Sequence, residues 1–254
     1  MRRHKSLQES VMDLQRRNEA LLELNRTKDE FITIASHQLR TPATAIKQYL
    51  GLLLGGYSDP LTDDQRNFLQ RAYESNERQL NIVNDILRIA QLDADKLRLN
   101  FKSNDLRDIV RKSAEQLLPE VAKREQTLEI KLPETKVPVV VDEGQLMMVI
   151  ENLIENASHY SKKGKKIDVN LKKSKINAIL AVTDEGVGIK KTDMGKLFQK
   201  FSRIPNPLSV EAGGSGLGLY WAEKIIKLHD GKIKVNSTAG KGTTFSVYLP
   251  LKKK

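Results

Sequence analysis

The sequence predicts two architectures in one chain: an all-α helical hairpin that forms a dimeric four-helix bundle, followed by an α+β sandwich. Three observations predict it. Residues 5–35 contain no proline or glycine. Two long amphipathic segments then flank the turn-rich stretch GGYSDPLTDD. From about residue 96 the texture changes to short alternating strands interleaved with helices. The 254 residues, 39% hydrophobic and 30% charged, suit one or two domains with long solvated helices.

In the first segment a seven-residue pattern places Leu7, Leu14, Leu21, Lys28 and Ala35 in one column, and Val11, Asn18, Asn25 and Ile32 in the other. That is a modest coiled-coil seam over 1–27, in which buried Asn helps to set a two-stranded register. Continued without a break, it makes Leu39, Pro42, Ile46, Tyr49 and Leu53 the seam and turns His37 outward. Thr62 and Gln65 form a capping box that opens a second helix. That helix carries Phe68, Leu69, Ala72, Leu80, Val83, Ile86 and Ala90 and ends at QLDADKL. Residues 28–94 are thus a hairpin with unpartnered apolar stripes, which a second copy buries.

Residues 95–254 form the second domain. KLRLNF and TLEIKL alternate as strands around a helix at about 105–124. VPVVVDEG runs from a strand into the helix GQLMMVIENLIENASHYS. KIDVNLKK and INAILAVTDEG are strands joined by a turn at KSK. A loop with Pro205, Pro207, Gly213 and Gly214 leads to the helix GLYWAEKIIKLHD, and GKIKVNSTAGKGTTFSVYLP closes as a hairpin. Mixed strands and helices with antiparallel pairs indicate an α+β sandwich.

Composition narrows the chemistry. The net charge of +11 suits nucleotides or acidic surfaces. It is spread over the chain with only 5% aromatics, which argues against a nucleic-acid partner. There are no cysteines, and the four histidines (His4, His37, His159, His229) lack metal-ligand spacing. Apolar runs fall far short of the roughly 20 residues that span a bilayer. The stretch MRRHKSLQES lacks the apolar segment of a signal peptide, and no membrane contact by this chain itself is expected.

Three stretches carry phosphate or nucleotide chemistry. In ENLIENASHYS, Asn152 and Asn156 share a helix face with His159 one turn on, and amide oxygens can ligate Mg²⁺. In DEGVGI, a strand ends at Asp184, whose carboxylate can accept from an exocyclic amine, while Gly186 and Gly188 admit a close ligand. In GGSGLGLYWAEK, Gly214, Gly216 and Gly218 lead into a helix N-terminus suited to phosphate. Leu219 breaks the dinucleotide fingerprint, and no GxxxxGK[ST] occurs.

Together and in this order, the stretches resemble the ATP-binding domain of sensor histidine kinases, of the Bergerat fold shared with gyrase-type ATPases. ENLIENASHYS resembles the asparagine box, DEGVGI and GGSGLGL the two glycine boxes, FQKFSR the phenylalanine box, and GKGTTF the final glycine turn. The resemblance implies ATP and Mg²⁺ as cofactors. It implies that Asn156 holds the metal, supported by Asn152, and that Asp184 reads adenine. It places Arg203 near the γ-phosphate and Gly214, Gly216, Leu217 and Gly218 around the phosphates. His159, Tyr160, Gly186, Gly188 and Thr243 complete the pocket, and residues 190–213 form a mobile lid. His159, where these kinases often have Lys, would meet phosphate when protonated, but at pH 7 it is mostly neutral. Hydrolytic members usually carry Glu four residues before the metal Asn. Here that residue is Asn152, which cannot serve as a base.

ASHQLRTPATAI resembles the phospho-acceptor box of the same kinases. His37 would then take the γ-phosphoryl group through a ring nitrogen and pass it to an aspartate of a response-regulator receiver domain. Gln38 stands where the commonest form is acidic; it can orient the ring but cannot take its proton. Thr41 matches the residue linked to dephosphorylating the partner, and Arg40 is read as either a phosphate contact or solvated surface. The resemblance covers the chain from about residue 28. It implies a homodimer driven by an upstream sensor module, and a cytoplasmic location, such as the cytoplasmic part of a membrane-bound sensor. The alternative is a weakly active or non-catalytic dimeric scaffold with a nucleotide-binding domain.

Overall fold

A long helix, α1 (Arg2–Leu54), turns back through Gly55 and Gly56 into α2 (Asp63–Asp93). The computed structural model describes residues 2–57, 60–94, 97–206, 208 and 214–251. Within α1, the side chains of 2–11, 13, 21, 22, 25, 26 and 28–31 lie outside that description. The chain divides into two units, Met1–Leu97 and Arg98–Lys254.

In the first unit, α2 opens with the expected capping box: the Gln65 amide donates to Thr62 Oγ1, and Gln65 Oε1 accepts from the Thr62 amide. The two helices pack through Ser36, Arg40, Ala43, Lys47, Leu50 and Leu54 on α1. They meet Tyr73, Asn76, Leu80, Val83, Leu87 and Ala90 on α2. Polar bonds set the antiparallel register. Asn76 Nδ2 donates to the Ala43 carbonyl at 2.7 Å, Arg40 Nη2 to Asn84 Oδ1 at 2.7 Å, and Lys47 pairs with Glu77 at 2.6 Å.

The column read from the sequence as the seam is a different one. Leu39, Ile46, Tyr49 and Leu53 are 37–70% exposed in the single chain, and Pro42 is exposed with them. Phe68, expected in the apolar stripe of α2, is 72% exposed and Ala72 is exposed as well. The hairpin closes on the neighbouring face because that face is supplied with Ala43 and Ser36, small enough for close approach. In the coiled-coil segment Leu14 and Asn18 are exposed. The side chains of Leu7, Val11, Leu21, Asn25 and Lys28 lie outside the described residues.

The second unit starts with β1 (Lys102–Asp105), α3 (Leu106–Lys123), β2 (Thr127–Lys131), β3 (Pro138–Val141) and α4 (Glu143–His159). It continues with β4 (Lys166–Lys173), β5 (Asn177–Asp184), a 3₁₀ turn (Lys191–Lys196), α5 (Gly218–Leu228), β6 (Lys232–Thr238) and β7 (Gly242–Pro250). The main sheet runs β2-β4-β5-β7-β6, with β2 parallel to β4 and the other pairs antiparallel; β1 and β3 pair separately. The three helices cover one face. Ile150, Leu153, Ile154, Ile225 and Ile226 meet Ile167, Val169, Leu180, Val182 and Val247 there, all at 1% exposure or less. The other face presents Thr183, Thr244 and Tyr248, as alternation in a one-sided sheet requires.

One expected strand is displaced. Residues 97–101 of KLRLNF are irregular, and the strand lies at 102–105. The earlier segment is tied down otherwise: the Asn100 amide donates to Asp142 Oδ2 at 2.7 Å, and Phe101 meets His229 edge to face. Asp105 ends the strand because its carboxylate accepts from the Arg107 amide and caps α3.

Asn76 is the buried polar link of the hairpin. Asn76→Ala removes this second bond to the Ala43 carbonyl and should lower the unfolding free energy of the hairpin by about 0.5–1.5 kcal/mol. Thermal unfolding of a chain ending after α2 measures it, and an unchanged transition would show that water replaces the amide at no cost.

Candidate functional site

The second unit brings together the end of α4, the end of β5, the start of β7 and the start of α5. Asp184, the last residue of β5, is 6% exposed. Its Oδ1 accepts from the amides of Gly186 (2.8 Å) and Thr243 (3.1 Å), so Oδ2 stands apart from both bonds. Burial pushes its pKa up to about 6, against the smaller opposing effect of those amides.

Backbones crowd this carboxylate so closely that side chains are excluded. A Cβ on Gly186 would lie 2.2 Å from the Tyr160 carbonyl oxygen, which already accepts from the Val187 amide at 3.0 Å. The DEGVGI loop is thereby stitched to the C-cap of α4. Gly188 has φ +62 and a Cβ position 2.1 Å from the Thr238 carbonyl. Both positions demand glycine. Ser237 completes the floor, accepting from the Ile189 amide at 2.9 Å and lying 2.9 Å from Thr243 Oγ1.

On α4, Asn156 Nδ2 donates to Asn152 Oδ1 at 3.2 Å, which leaves Asn156 Oδ1 as the acceptor turned away from that bond. Asn152 Nδ2 is buried with no partner. A Cβ on Gly218 would fall 2.3 Å from Asn152 Oδ1, so the first residue of α5 rests directly on this amide pair. Leu217, the N-cap of α5, supplies no side-chain cap and is itself buried, and the first turn holds no acidic residue. The helix therefore presents uncapped amides beside the Asn152–Asn156 pair, an arrangement that favours an anion. Gly216, at φ +72, would meet Phe201 if it carried a Cβ, which ties the second glycine box to the phenylalanine box.

The remaining expected residues divide. Tyr160 is partly buried and its pKa is raised by that burial, against the opposing positive charge of Arg203 nearby. Gly214 is exposed, with open space around its Cβ position, and Gly213 lies outside the described residues. Of residues 190–213, the segments 190–206 and 208 are described. His159 is partly buried. Burial first, and the charge of Arg124 second, lower its pKa to about 4, so it is neutral at pH 7 and offers phosphate no cation. Ser237 carries no local motif; only the pairing of β6 with β7 brings it under Thr243.

In the first unit, His37, Gln38 and Thr41 are exposed on α1. Thr41 Oγ1 donates to the His37 carbonyl at 3.2 Å. Pro42 has no amide to offer the Gln38 carbonyl one turn back, yet the helix continues through it. Arg40 is neither solvated surface nor turned outward: its guanidinium crosses to Asn84, and its Nε is buried without a partner. Among the described residues no cluster of His, Asp and Glu fit for a metal ion is found, and no helix is long and apolar enough to cross a membrane.

The His Kinase A (phospho-acceptor) domain family matches residues 27–95. The histidine kinase-, DNA gyrase B- and HSP90-like ATPase family matches residues 141–253. The circadian input-output histidine kinase CikA of Synechococcus elongatus is 32% identical over 228 residues, 89% of this chain and 30% of that protein. The sensor histidine kinase WalK of Bacillus subtilis is 33% identical over 235 residues, 90% of this chain and 38% of that protein. The chain spans about a third of the length of the curated relatives it matches. Among solved structures, the histidine kinase AdeS of Acinetobacter baumannii aligns with a TM-score of 0.59 at 26% identity, over 85% of this chain and 98% of that one. Full-length ShkA in complex with AMPPNP shares the fold, with a TM-score of 0.70 at 24% identity over 87% of this chain and 45% of that one. A phospho-acceptor helical hairpin followed by a gyrase-like ATPase domain defines the class. The chain carries a His Kinase A phospho-acceptor domain and a histidine kinase-like ATPase domain, and the relatives that share this pair are sensor histidine kinases.

The unusual state of Asp184 has a measurable consequence. The unfolded chain releases this proton near pH 4 and the folded chain near pH 6, so between them the folded state holds the extra proton and stability falls as pH rises. Asp184→Asn keeps an acceptor oxygen but cannot ionise. The stability of the variant relative to the parent should therefore grow by on the order of 2–3 kcal/mol from pH 4 to pH 7 and level off above that. Denaturant titrations of both proteins across that range check it; a pH-independent difference would refute it.

Proposed function

We propose that this chain uses ATP to phosphorylate His37 and passes the phosphoryl group to an aspartate of a response-regulator receiver domain. The observation that carries the reading is the pairing of an exposed histidine, at the phospho-acceptor position of one unit, with the buried Asp184 pocket of the other. Asp184 Oδ2 would accept from the exocyclic amine of adenine. The uncapped start of α5, with Gly216 and Gly218, would receive the phosphates, and Arg203 would approach the terminal one.

Asn156 Oδ1 would hold Mg²⁺, and the Asn152 amide that fixes its orientation would offer Nδ2 to a phosphate oxygen. The fit rests on that orphaned buried donor and on the Asn156 amide oxygen turned away from the pair. Mg²⁺, when bound, supplies charge neutralisation on the phosphates. A ring nitrogen of His37 attacks the γ-phosphorus, the bond to the β-phosphate oxygen breaks, and ADP leaves. The imidazole proton goes to water, because Gln38 has no basic oxygen to receive it. Asn152 cannot activate water, which favours transfer to histidine over direct hydrolysis.

Thr41 would position water for removing phosphate from the partner regulator. The exposed Leu39, Ile46, Tyr49, Leu53 and Phe68 would be covered by a second copy in a homodimer. Input would come from an upstream sensor module through α1, and the chain would act in the cytoplasm, where ATP is supplied. The runner-up, a non-catalytic scaffold, is favoured by no specific contact.

Incubation with γ-labelled ATP and Mg²⁺ should label the parent chain, with an acid-labile, base-stable adduct, and leave His37→Gln unlabelled. Steady ATP turnover in His37→Gln would point to a hydrolase, and absence of label in the parent to the scaffold. Gln38→Glu should raise the labelling rate by roughly tenfold or more, the lower range for general-base assistance; an unchanged or slower rate would remove the proton-uptake explanation. Nucleotide affinity should fall about tenfold from pH 7.5 to pH 5 as Asp184 takes up its proton, since a protonated Oδ2 no longer accepts. Fluorescent-nucleotide titrations at the two pH values read this directly, and His159 stays neutral throughout that range.

A further inference from the structure

Lysines crowd both ends of the main sheet, and the two ends treat them differently. Around the α4–β4 loop they are matched by carboxylates: Lys163 with Glu125, Lys165 with Glu185, and Lys166 with Glu129 and Asp168. At the far end, the β4–β5 turn carries Lys172, Lys173 and Lys175. Lys136 lies beside them because Lys173 Nζ donates to its carbonyl at 3.1 Å. All four side chains are exposed, and none has a carboxylate partner among the described residues. Glu134, the acidic residue of the neighbouring loop, pairs with none of them; its carbonyl accepts from Arg107.

Ile176 stands at the crown of this turn, 72% exposed, and contributes nothing to the core. The turn is held firmly. The Ser174 amide and hydroxyl both bond the Asn177 carbonyl, at 2.8 and 2.9 Å, and the Leu251 amide donates to the Ile176 carbonyl at 3.1 Å. In sequence, Leu251 is followed directly by Lys252, Lys253 and Lys254.

We propose that this tip docks on an anionic lipid bilayer, with the lysines on the headgroup phosphates and Ile176 entering the interface. A fixed apolar crown ringed by unmatched cations is the arrangement that binds a charged membrane surface. A soluble polyanion would use the lysines alone, and the turn offers no aromatic ring on which a base could stack. The sequence by itself predicts no membrane contact; the difference comes from the strand pairing that brings Lys136, the β4–β5 turn and Leu251 to one tip. The contact would hold the ATPase unit at the membrane independently of its nucleotide chemistry.

The test is sedimentation of the full chain with vesicles of phosphatidylcholine alone or with a quarter of phosphatidylglycerol. The parent should bind the anionic vesicles and be released by about 0.5 M salt, where screening is short-ranged. Each lysine near such a surface is worth about fivefold in affinity. The double variant Lys172→Glu, Lys175→Glu should therefore bind at least about 25-fold more weakly, and Ile176→Ser roughly tenfold more weakly. Both should keep the parent's melting temperature and nucleotide binding. Equal binding by parent and variants would overturn the proposal, as would equal binding to neutral vesicles or no binding at all. It would also fail if a duplex oligonucleotide displaced the parent and Ile176→Ser bound like the parent, since the site would then read nucleic acid.

Discussion

The carboxylate of Asp184 sits almost out of water at the end of a strand, with two backbone amides on a single oxygen. Such a group is costly to ionise, and its raised pKa reports that cost. The amides reach it only because the chain on either side comes closer than side chains allow. Gly186 lies against the Tyr160 carbonyl, Gly188 against Thr238, and Gly242, at φ +111, against the Asp184 carbonyl itself. The end of α4, the turn after β5 and the start of β7 are thus locked to one another by main-chain contacts. The Asn152–Asn156 pair and the start of α5 are in turn positioned by α4, so the whole pocket inherits its geometry from the crowding around one acid.

The hairpin follows a different economy. Its internal face mixes Val83, Leu87 and Ala90 with Asn76, Arg40 and Lys47, which make specific bonds beside Ala43 and Ser36. Leu39, Ile46, Tyr49, Leu53 and Phe68 point elsewhere. A single copy leaves those side chains in water, a cost that only association relieves. His37 lies on the side of α1 away from the Leu39–Ile46–Leu53 column, roughly half a turn round at 100° per residue. Covering that column with a second copy therefore leaves the histidine accessible.

The order of helices and strands was readable because each element announces itself locally. Thr62 and Gln65 cap α2, alternation marks β4 and β5, and glycines punctuate the loops. The nucleotide motifs were readable because their residues are close in sequence. What escaped was set by distant partners. KLRLNF alternates like a strand, yet Asn100 and Phe101 are claimed by Asp142 and His229, more than forty residues away in sequence. Arg40 could not be assigned without Asn84, and Ser237 has no motif apart from its place beside Thr243. His159 looked like a phosphate contact by position, but its burial and Arg124 are tertiary facts. Periodicity marked the apolar column of Leu39, Ile46 and Leu53 but not the face on which the two helices close within one chain, because that face turns on Ser36, Ala43 and Asn76, which carry no apolar signal.

The strand order of the main sheet has a consequence for how the protein is made. β7 lies between β5 and β6, so an interior strand of the sheet is supplied by the last of the described strands. Until residue 250 has left the ribosome, β5 has an open edge and Asp184 lacks the Thr243 amide. The hairpin has no such dependence, since its bonds join residues 40–84. The hairpin can therefore fold while the surroundings of Asp184 are still incomplete.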